Sequence, residues 1–382
     1  MRSIAVVTTS RADYGHLYWP LKELQARPSI DLRLIAMGAQ LSPEFGLAVR
    51  EIERDGFTVH ERIECLLSSD TDVGMAKTIG VATLSLADVL GRMRPDILLL
   101  IADRYELLAP ASAALALRIP IAHIEGGEIS EGAIDDAVRN ALTKMSHVHF
   151  TPTEASKRRV IAMGEEEWRV HRTGAPSLDH LRRRELPAAE ALFERLDLQL
   201  TRPAMLVAYH PVTIARDTLR EADEVFTALE RMPAQKLFCF PNADAGSRAL
   251  IERATAFCDA GQGDRVFVNL NPIDYWALLK EVDVLVGNSS SGIMETPSLA
   301  LPTVNVGVRQ EGRERARNVI DAVPHAGAIV AAVARALEPS FRASLEGMES
   351  PYGDGHAGER IADVLVSVPL GEALLRKRHP DS

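Results

Sequence analysis

The sequence predicts an α/β protein with two doubly wound, mainly parallel sheets. Short β-branched runs alternate with amphipathic segments, which is the pattern of parallel strands joined by crossover helices. This alternation occurs in two series, separated at 172–187 by a stretch rich in proline, glycine and charge. At 382 residues the chain also exceeds the length that one core normally supports. These three observations together indicate two domains.

The first series contains five predicted strands and two clear helices. The strands are "SIAVVTT", "DLRLIAM", "DILLLIA", "IPIAHI" and "HVHFTP", and the helices are "HLYWPLKELQAR" and "AIDDAVRNALTKMS". In the second helix Ile134, Val138 and Leu142 recur at helical spacing. Asp135 and Asp136 fall in its first turn, where the positive end of the helix favours carboxylates.

The second series begins near Ala204. Its predicted strands are "AMLVAYH", "KLFCFP", "RVFVNL", "DVLVGN" and "PTVNVG". We therefore expect an N-terminal domain over residues 1–175 and a C-terminal domain over residues 176–355. A cleft between two such domains is the default position for a ligand.

Composition narrows the classes of function. The formal net charge of -10 argues against a nucleic-acid partner, because no broad basic face is available to neutralise phosphates. No apolar run approaches the roughly 20 residues needed to cross a membrane, and the N-terminus lacks a signal-peptide pattern. Cys65, Cys239 and Cys258 show no metal-type or redox-type spacing, and their odd number argues against a disulfide framework. The expected location is cytoplasmic, without a membrane partner.

The stretch "VGNSSSGIMETPS" is a candidate anion site. An apolar strand ends at Gly287, and three serines, among them Ser289 and Ser290, lead into a predicted helix. Backbone N–H groups at a helix start, joined by serine hydroxyls, favour phosphate binding. A plain serine N-cap is the alternative interpretation. Glu295, one turn further on, is positioned to accept from ribose hydroxyls.

Two further strands of the second series end in polar residues. "AYHPVT" ends a strand at His210, and "FPNADAGS" places Asn242 after the next strand. A single histidine at a strand end is more often structural than catalytic, but Pro211 ends the strand here and favours a ring directed towards the cleft, so both interpretations stay open. Polar groups at two successive strand ends indicate a ligand site more strongly than either alone.

In the first series, "TTSRADYGH" places Arg11 and His16 after one strand, and "IADRYE" places Asp103 and Arg104 after another. The planar guanidinium of Arg11 matches phosphate oxygens. An Asp103–Arg104 pair also has a simpler interpretation as a local ion pair.

The stretch "HIEGGEISEGAIDD" is the most acidic segment and follows the strand "IPIAHI". It carries five carboxylates: Glu125, Glu128, Glu131, Asp135 and Asp136. Clustered carboxylates raise one another's pKa, so that one can act as an acid and another as a base near neutral pH. We predict that Asp103, Glu125 and Asp135 act in this way, and that the two glycines allow close backbone approach to a ligand. Such acids can also hold Mg²⁺ or Mn²⁺, but the serine-rich turn already supplies phosphate neutralisation, so no metal is predicted.

In this order, these residues resemble the hydrolysing UDP-N-acetylglucosamine 2-epimerases of sialic-acid and legionaminic-acid biosynthesis. The matching stretches, between about residue 9 and residue 355, are "SRADYG", "ADRYE", "HIEGGEISEGAIDDAVRNALTKMSH", "HPVT", "PNADAGS", "VGNSSSGIMETPS", "VNVGVRQEGR" and "YGDG". The non-hydrolysing branch carries Gly-Thr-Arg-Pro-Glu and His-Val-Glu-Ala-Gly where this chain has "SRADYG" and "HIEGGE". The resemblance therefore favours the hydrolysing branch.

The resemblance implies a GT-B type fold whose C-terminal helix, over 356–382, returns to the first domain. It implies no external cofactor and a two-step reaction on a nucleotide sugar. Anti-elimination removes UDP and the C2 proton to give a 2-acetamidoglucal, and water then adds to give N-acetylmannosamine. Homologous enzymes suggest a homodimer or homotetramer.

The resemblance also implies roles for individual residues. Asp103, Glu125 and Asp135 are the acid/base groups, and His210 lies near the diphosphate and the leaving oxygen. The predicted substrate-binding set comprises Arg11, His16, Arg104, Asn242, Ser289, Ser290, Glu295 and Arg309.

The sequence leaves the substrate and two other functions open. Plain UDP-N-acetylglucosamine is slightly favoured, but "LLSSDTDVGMAKTIG" is more similar to legionaminic-type enzymes, which act on a 2,4-diacetamido-2,4,6-trideoxy sugar. A GT-B glycosyltransferase is a rival interpretation, although it would not need three acids from the first domain. A non-catalytic binding module is the other, and the intact set of acids argues against it.

Overall fold

The computed structural model describes residues 1–67, 71–129, 134–210, 219–240, 247–261, 263–268 and 270–378. The chain forms two compact units. The first unit contains Met1–Glu128, Ile134–Asp179 and Gly353–Ser382, and the second contains Ile129–Ala133 and His180–Tyr352.

Seven parallel strands form the sheet of the first unit, in the order β3-β2-β1-β4-β5-β6-β7. Their bounds are β1 Arg2–Thr8, β2 Ile30–Met37, β3 Val59–Ile63, β4 Ile97–Ile101, β5 Ile121–Ile124, β6 Val148–Thr151 and β7 Val170–Arg172. The direction of strand succession reverses between β1 and β4. Polar residues that follow these strands therefore lie at the switch point, where open α/β sheets bind ligands.

Helices cover both faces of this sheet. The helices up to residue 195 are α1 Arg11–Gln25, α2 Val49–Arg54, α3 Asp72–Met93, α4 Leu108–Leu117, α5 Ile134–Met145, α6 Glu154–Ala162, α7 Ser177–Arg183 and α8 Ala189–Arg195. Leu17 and Leu21 of α1 pack in one core, whereas Leu86 of α3 and Leu142 of α5 pack in the core on the other face. Because both faces are covered, β4 is buried along its whole length and reads as the continuous apolar run "ILLLI".

The second unit repeats the strand order of the first. Its six-stranded parallel sheet runs β10-β9-β8-β11-β12-β13. The strands are β8 Ala204–Ala208, β9 Gln235–Phe240, β10 Arg265–Val268, β11 Val284–Gly287, β12 Thr303–Val306 and β13 Val319–Ala322. The remaining helices are α9 Leu219–Glu230, α10 Ser247–Ala260, α11 Pro272–Glu281, α12 Ser291–Met294, α13 Ala326–Leu337, α14 Pro339–Ser344, α15 Ala357–Ser367 and α16 Glu372–Leu375.

The last of these helices complete the first unit. Ile361 and Leu365 of α15 belong to the same core as α1. A Cβ on Gly358 would lie 2.9 Å from the backbone of α1, so glycine allows the two helices to approach closely. The carboxylate of Asp179 accepts from the backbone N–H groups of Ala357 and Gly358, each at 2.8 Å, and so caps the start of α15.

Charged side chains of the first unit bind the segment around the end of α16. Arg169, which is 1% exposed, donates to the carbonyl oxygens of Leu374 and Arg376 at 2.8 and 2.9 Å. Lys377 lies 2.7 Å from the carboxylate of Glu165, a residue that is also buried. Arg376 and Lys377, part of the basic stretch "RKR", are therefore docked on the first unit, whereas such charged stretches are usually solvated.

The predicted α/β class with two doubly wound sheets is confirmed, and each predicted strand is present with small shifts at its ends. Three strands, β3, β7 and β13, were not predicted. By length and composition alone, Val73–Met93 of α3 could cross a membrane, although Lys77 and Asp88 interrupt its apolar character. One face of α3, including Leu86 and Leu90, packs in the core, which is the behaviour of a helix in a folded α/β unit.

Candidate active site

Asp103 lies at the carboxyl end of β4 beside a buried arginine. The carboxylate forms an ion pair with the guanidinium of Arg139, a residue of α5 that is 3% exposed. A second nitrogen of Arg139 donates to the carbonyl oxygen of Glu128 at 2.9 Å. The planar guanidinium therefore fixes the Asp103 carboxylate relative to the acidic loop, and its charge favours the ionised acid.

Sequence reasoning missed Arg139, although a signal was present. The residue lies on the same buried stripe of α5 as Val138, Leu142 and Thr143. A buried charged side chain needs a partner of opposite charge. That partner is Asp103, so the sequence alternative of a local Asp103–Arg104 ion pair is wrong for this carboxylate.

Glu125 follows β5 in a backbone conformation that is rare for a residue with a side chain. Its φ is +66°, and its backbone N–H donates to Phe150 at 2.8 Å. One carboxylate oxygen lies 2.8 Å from Nδ1 of His16, which projects from α1. The predicted residues Glu125 and His16 are therefore in direct contact. Backbone strain of this kind persists only where the surroundings hold it and often marks a functional site.

The two glycines after Glu125 lie where the loop packs closely on other parts of the first unit. A Cβ on Gly126 would lie 3.2 Å from both Nδ1 of His123 and Oγ1 of Thr143. At Gly127 φ is +78°, and a Cβ would lie 2.4 Å from the carbonyl oxygen of Ser156. In the structure the glycines thus allow close packing of the loop on the protein itself, and the predicted approach to a ligand stays a prediction.

The other acids of the stretch have separate environments. Glu128 is 5% exposed and accepts a hydrogen bond from the hydroxyl of Ser156. Asp135 and Asp136 are half-buried in the first turn of α5, as predicted, and Asp136 accepts from Asn140 at 3.0 Å. Glu131 lies outside the described residues. The mutual rise in pKa expected of clustered carboxylates stays a prediction.

Two of the three arginines predicted to bind substrate are paired with acids. Arg11 begins α1, is 45% exposed and lies 3.1 Å from Glu51. Arg104 lies 2.8 Å from the carboxylate of Glu106, which is fully buried. Phosphate contact by Arg11 would require it to exchange an exposed partner, which costs little because exposed pairs are weak.

In the second unit a buried asparagine organises the strand ends. Asn288 follows β11 and is 0% exposed. Its side chain accepts from the backbone N–H of His210 at 2.7 Å and donates to the His210 carbonyl at 2.8 Å. Its own carbonyl accepts from Arg309 and Gln310, each at 2.9 Å. Asn288 thereby brings the predicted residues His210 and Arg309 to one place.

The electrostatic environment of His210 keeps its ring neutral. Burial lowers the pKa of His210 to about 4, and the positive charge of Arg309 adds to this effect. At neutral pH the ring therefore offers one donor and one acceptor and carries no charge.

The serine stretch differs from the expected helix start. Ser290 is the N-cap of α12 but makes no side-chain capping bond, whereas the hydroxyl of Ser289 accepts from the backbone N–H of Ser291 at 3.4 Å. Helix α12 has only four residues and continues as a 3-10 turn, Thr296–Leu299, which leaves little helix dipole for an anion. Glu295 accepts from Trp276 at 3.0 Å and from Ser291 at 2.7 Å, so its carboxylate is held in one orientation. Asn242 lies outside the described residues.

Among the described residues there is no group of three or more His, Cys, Asp or Glu side chains that could hold a metal ion. The three cysteines are free thiols.

Comparisons with known proteins give the family of the chain. The family profile described as "UDP-N-acetylglucosamine 2-epimerase" matches residues 22–366. The chain is 37% identical to the UDP-N,N'-diacetylbacillosamine 2-epimerase (hydrolyzing) of Legionella pneumophila, over 99% of each chain. It is 35% identical to the GDP/UDP-N,N'-diacetylbacillosamine 2-epimerase (hydrolyzing) of Campylobacter jejuni, over 84% of each.

A solved structure supports the fold. The UDP-GlcNAc 2-epimerase of Neisseria meningitidis, crystallised with UDP-GlcNAc, matches with a TM-score of 0.82 and 18% identity, over 96% of this chain and 100% of that one. The predicted GT-B type fold is thereby confirmed. On the match along almost its whole length, the chain belongs to the UDP-N-acetylglucosamine 2-epimerase family, as a hydrolysing nucleotide-sugar 2-epimerase.

Proposed function

We propose that the protein converts a UDP-linked 2-acetamido sugar into UDP and the free 2-epimer in two steps. A carboxylate first takes the C2 proton while the C1–O bond to UDP breaks, which leaves a double bond between C1 and C2. Water then adds its hydroxyl to C1, and an acid returns a proton to C2 from the opposite face. Each step needs one proton acceptor and one proton donor.

The observation that carries this proposal is that Asp103 and Glu125 follow the neighbouring strands β4 and β5. Arg139 favours the ionised form of Asp103, as a proton acceptor requires. Glu125 contacts His16, whose side chain is 32% exposed. A partly exposed imidazole can pass protons between a buried carboxylate and water, which would reset the site between the two steps. Asp135 is the third acid/base group of this proposal.

The residues of the second unit are proposed to bind the nucleotide. Neutral His210 and the cation Arg309 would contact the diphosphate, together with the hydroxyls of Ser289 and Ser290. The fixed carboxylate of Glu295 would accept from the ribose hydroxyls. Arg11, Arg104 and Asn242 complete the proposed substrate contacts.

For the sugar, we propose 2,4-diacetamido-2,4,6-trideoxyglucose, which is N,N'-diacetylbacillosamine. The sequence alone slightly favours UDP-N-acetylglucosamine. The names of the Legionella and Campylobacter enzymes, at 37% and 35% identity, support the diacetamido sugar instead. The free product would then serve nonulosonic (sialic-type) acid synthesis.

The test is proton NMR of the purified protein in D₂O with EDTA, in parallel incubations with UDP-diacetylbacillosamine, its GDP analogue and UDP-N-acetylglucosamine. Release of UDP and a free manno-configured sugar deuterated at C2 is expected, fastest with the diacetamido substrate. A faster reaction with UDP-N-acetylglucosamine would reverse the substrate assignment. Turnover that needs an added sugar acceptor would instead identify a glycosyltransferase.

A further inference from the structure

His123 precedes Glu125 by two residues and is not used by the reaction as described so far. It is the third residue of β5 and is fully buried. Its Nε2 lies 2.7 Å from the carbonyl oxygen of Ala102, at the end of the neighbouring strand β4. Since a carbonyl can only accept, the ring proton must be on Nε2. One imidazole thus joins the ends of two adjacent strands.

Both strand ends that the ring joins are strained. Ala102 has a φ of +62° and Glu125 has a φ of +66°, values that L-residues with a Cβ rarely adopt. Ala102 is bonded to β5 on both sides, because its N–H also donates to Ile124 at 3.0 Å. A left-handed conformation is strained for a residue with a Cβ, so it persists only when such contacts impose it. Asp103 follows Ala102 directly.

The loop that carries Glu125 rests on the other side of the same ring. The position of a Cβ on Gly126 would be 3.2 Å from Nδ1 of His123, which shows how closely the backbone crosses the imidazole. In the described part of the chain, Nδ1 has no hydrogen-bond partner. The ring therefore contacts the Ala102–Asp103 turn through Nε2 and the Glu125–Gly126 turn through its opposite edge.

We propose that His123 is a positioning residue that sets the separation of the Asp103 and Glu125 carboxylates. It acts by fixing one strained turn against the other, and it touches no reacting atom itself. This inference rests on the proposed function of the two acids. Reacting groups must be placed accurately, because a displacement of about 1 Å can lower a rate roughly 100-fold.

The titration behaviour of the ring suits this role. Burial lowers the pKa of His123 to about 4. The ring therefore stays neutral at neutral pH and keeps its single donor on Ala102.

The test compares His123→Phe, which keeps a planar ring without a donor, with His123→Gln, whose amide nitrogen can replace Nε2. His149→Phe is the matched control. His149 is the partner of His123 in the next strand, is fully buried and bonds Glu165 at 3.1 Å. For each variant, kcat, KM, C2 proton exchange with D₂O, UDP affinity and the unfolding midpoint are measured.

We expect His123→Phe to lower kcat and C2 exchange roughly 100-fold, with KM and UDP affinity changed less than about threefold. The kcat of His123→Gln should be at least about tenfold above that of His123→Phe. His149→Phe should be less stable than the wild type but keep its kcat. The proposal is overturned if His123→Phe keeps wild-type kcat, if His123→Gln is no better than His123→Phe, or if His149→Phe loses kcat equally.

A second variant covers the case in which His123→Phe does not fold. Ala102→Gly removes the strain and frees the same turn without touching the ring, so we expect unchanged stability with a lowered kcat. Wild-type kcat in Ala102→Gly would overturn the proposal. A wild-type protein inactive on every nucleotide sugar would refute the proposed function as a whole, whereas an active wild type with an unaffected His123→Phe would refute the positioning role alone.

Discussion

At the scale of single residues, Arg139 connects the carboxylate of Asp103 to the backbone of the acidic loop. We predict that Arg139→Gln lowers kcat roughly 100-fold, because Asp103 loses both its orientation and its counter-charge. The kcat of Arg139→Lys should lie between those of the wild type and Arg139→Gln, since an ammonium keeps the charge but loses the planar fork. Steady-state kinetics on both variants, with UDP affinity as a control, would test this. A fully active Arg139→Gln would show that Asp103 needs no fixed partner.

Glu125 and Asp135 are predicted to serve chemistry and not nucleotide binding. Glu125→Gln and Asp135→Asn keep the size of each side chain but remove the group that can exchange a proton. We expect turnover to be abolished in both, while UDP binds with affinity close to that of the wild type. Product NMR and calorimetric titration with UDP are the two measurements. Parallel loss of UDP affinity would contradict the assignment.

At the scale of elements, the loop between β5 and α5 depends on glycine. Gly127→Ala would place a methyl group 2.4 Å from the carbonyl of Ser156 in a backbone conformation that disfavours a side chain. We expect the free energy of unfolding to fall by roughly 1–3 kcal/mol or more, with kcat falling as the loop shifts. Gly80→Ala in α3, where a Cβ meets nothing within 4 Å, is the matched control. Denaturant melts should show that Gly80→Ala leaves the free energy of unfolding unchanged or raises it by up to about 1 kcal/mol.

Elements could be predicted from the sequence where the pattern was strong. Buried strands such as β4 read as continuous apolar runs, and α5 shows a clear apolar stripe. The missed strands are weaker signals: β3 reads "VHERI", with exposed polar residues, and β7 has three residues. Their positions depend on pairing with neighbouring strands, which local sequence does not encode.

The site was predictable to the extent that polar residues follow strands. This rule found Asp103, Glu125 and His210, because the topology brings strand ends to a switch point. The rule missed Arg139, which lies in the middle of α5. It also gave no role to Asn288, because the role of Asn288 depends on contacts with distant parts of the chain. The sequence predicted a helix after the serine stretch without a length, and the structure limits it to the four residues of α12, followed by a 3-10 turn that ends at the left-handed Ala300.

At the scale of the whole molecule, buried histidines make stability depend on pH. Burial lowers the pKa of His123, His147 and His210 to about 4, from a usual value of 6.5. As pH falls below 6.5, the unfolded chain takes up protons that the folded protein does not take up until about pH 4. The contribution of these neutral histidines to the free energy of unfolding is therefore fully present above pH 6.5 and is lost as the pH falls from 6.5 to about 4.

We accordingly expect the thermal midpoint to fall steadily from pH 7 to pH 4.5. His147→Asn should make this slope shallower, because the amide oxygen can still accept from the N–H of Ile121, as Nδ1 does at 3.1 Å, but cannot titrate. Calorimetric scans across the pH range would show the difference. An equal slope in wild type and variant would contradict the role of His147.

A further loss is expected in stronger acid. Burial alone would raise the pKa of Glu165, but hydrogen bonds from His149, Lys144 and Lys377 lower it to about 2. The contribution of ionised Glu165 to the free energy of unfolding is present above pH 4.5 and is lost as the pH falls towards 2.

The return of the chain's last segment to the first unit has a consequence for the order of events during synthesis. The second unit is nearly continuous in sequence, over 180–352, so it is translated before Gly353–Ser382. At roughly 5–20 residues per second, translation of 180–352 delays that final segment by about 10–35 s. Throughout this interval the nascent first unit lacks α15 and Lys377, one of the two lysines that pair with Glu165. The half of the enzyme that is made first is therefore the last to be finished, and nascent chains stalled before residue 357 would expose the apolar surface on α1 to chaperones.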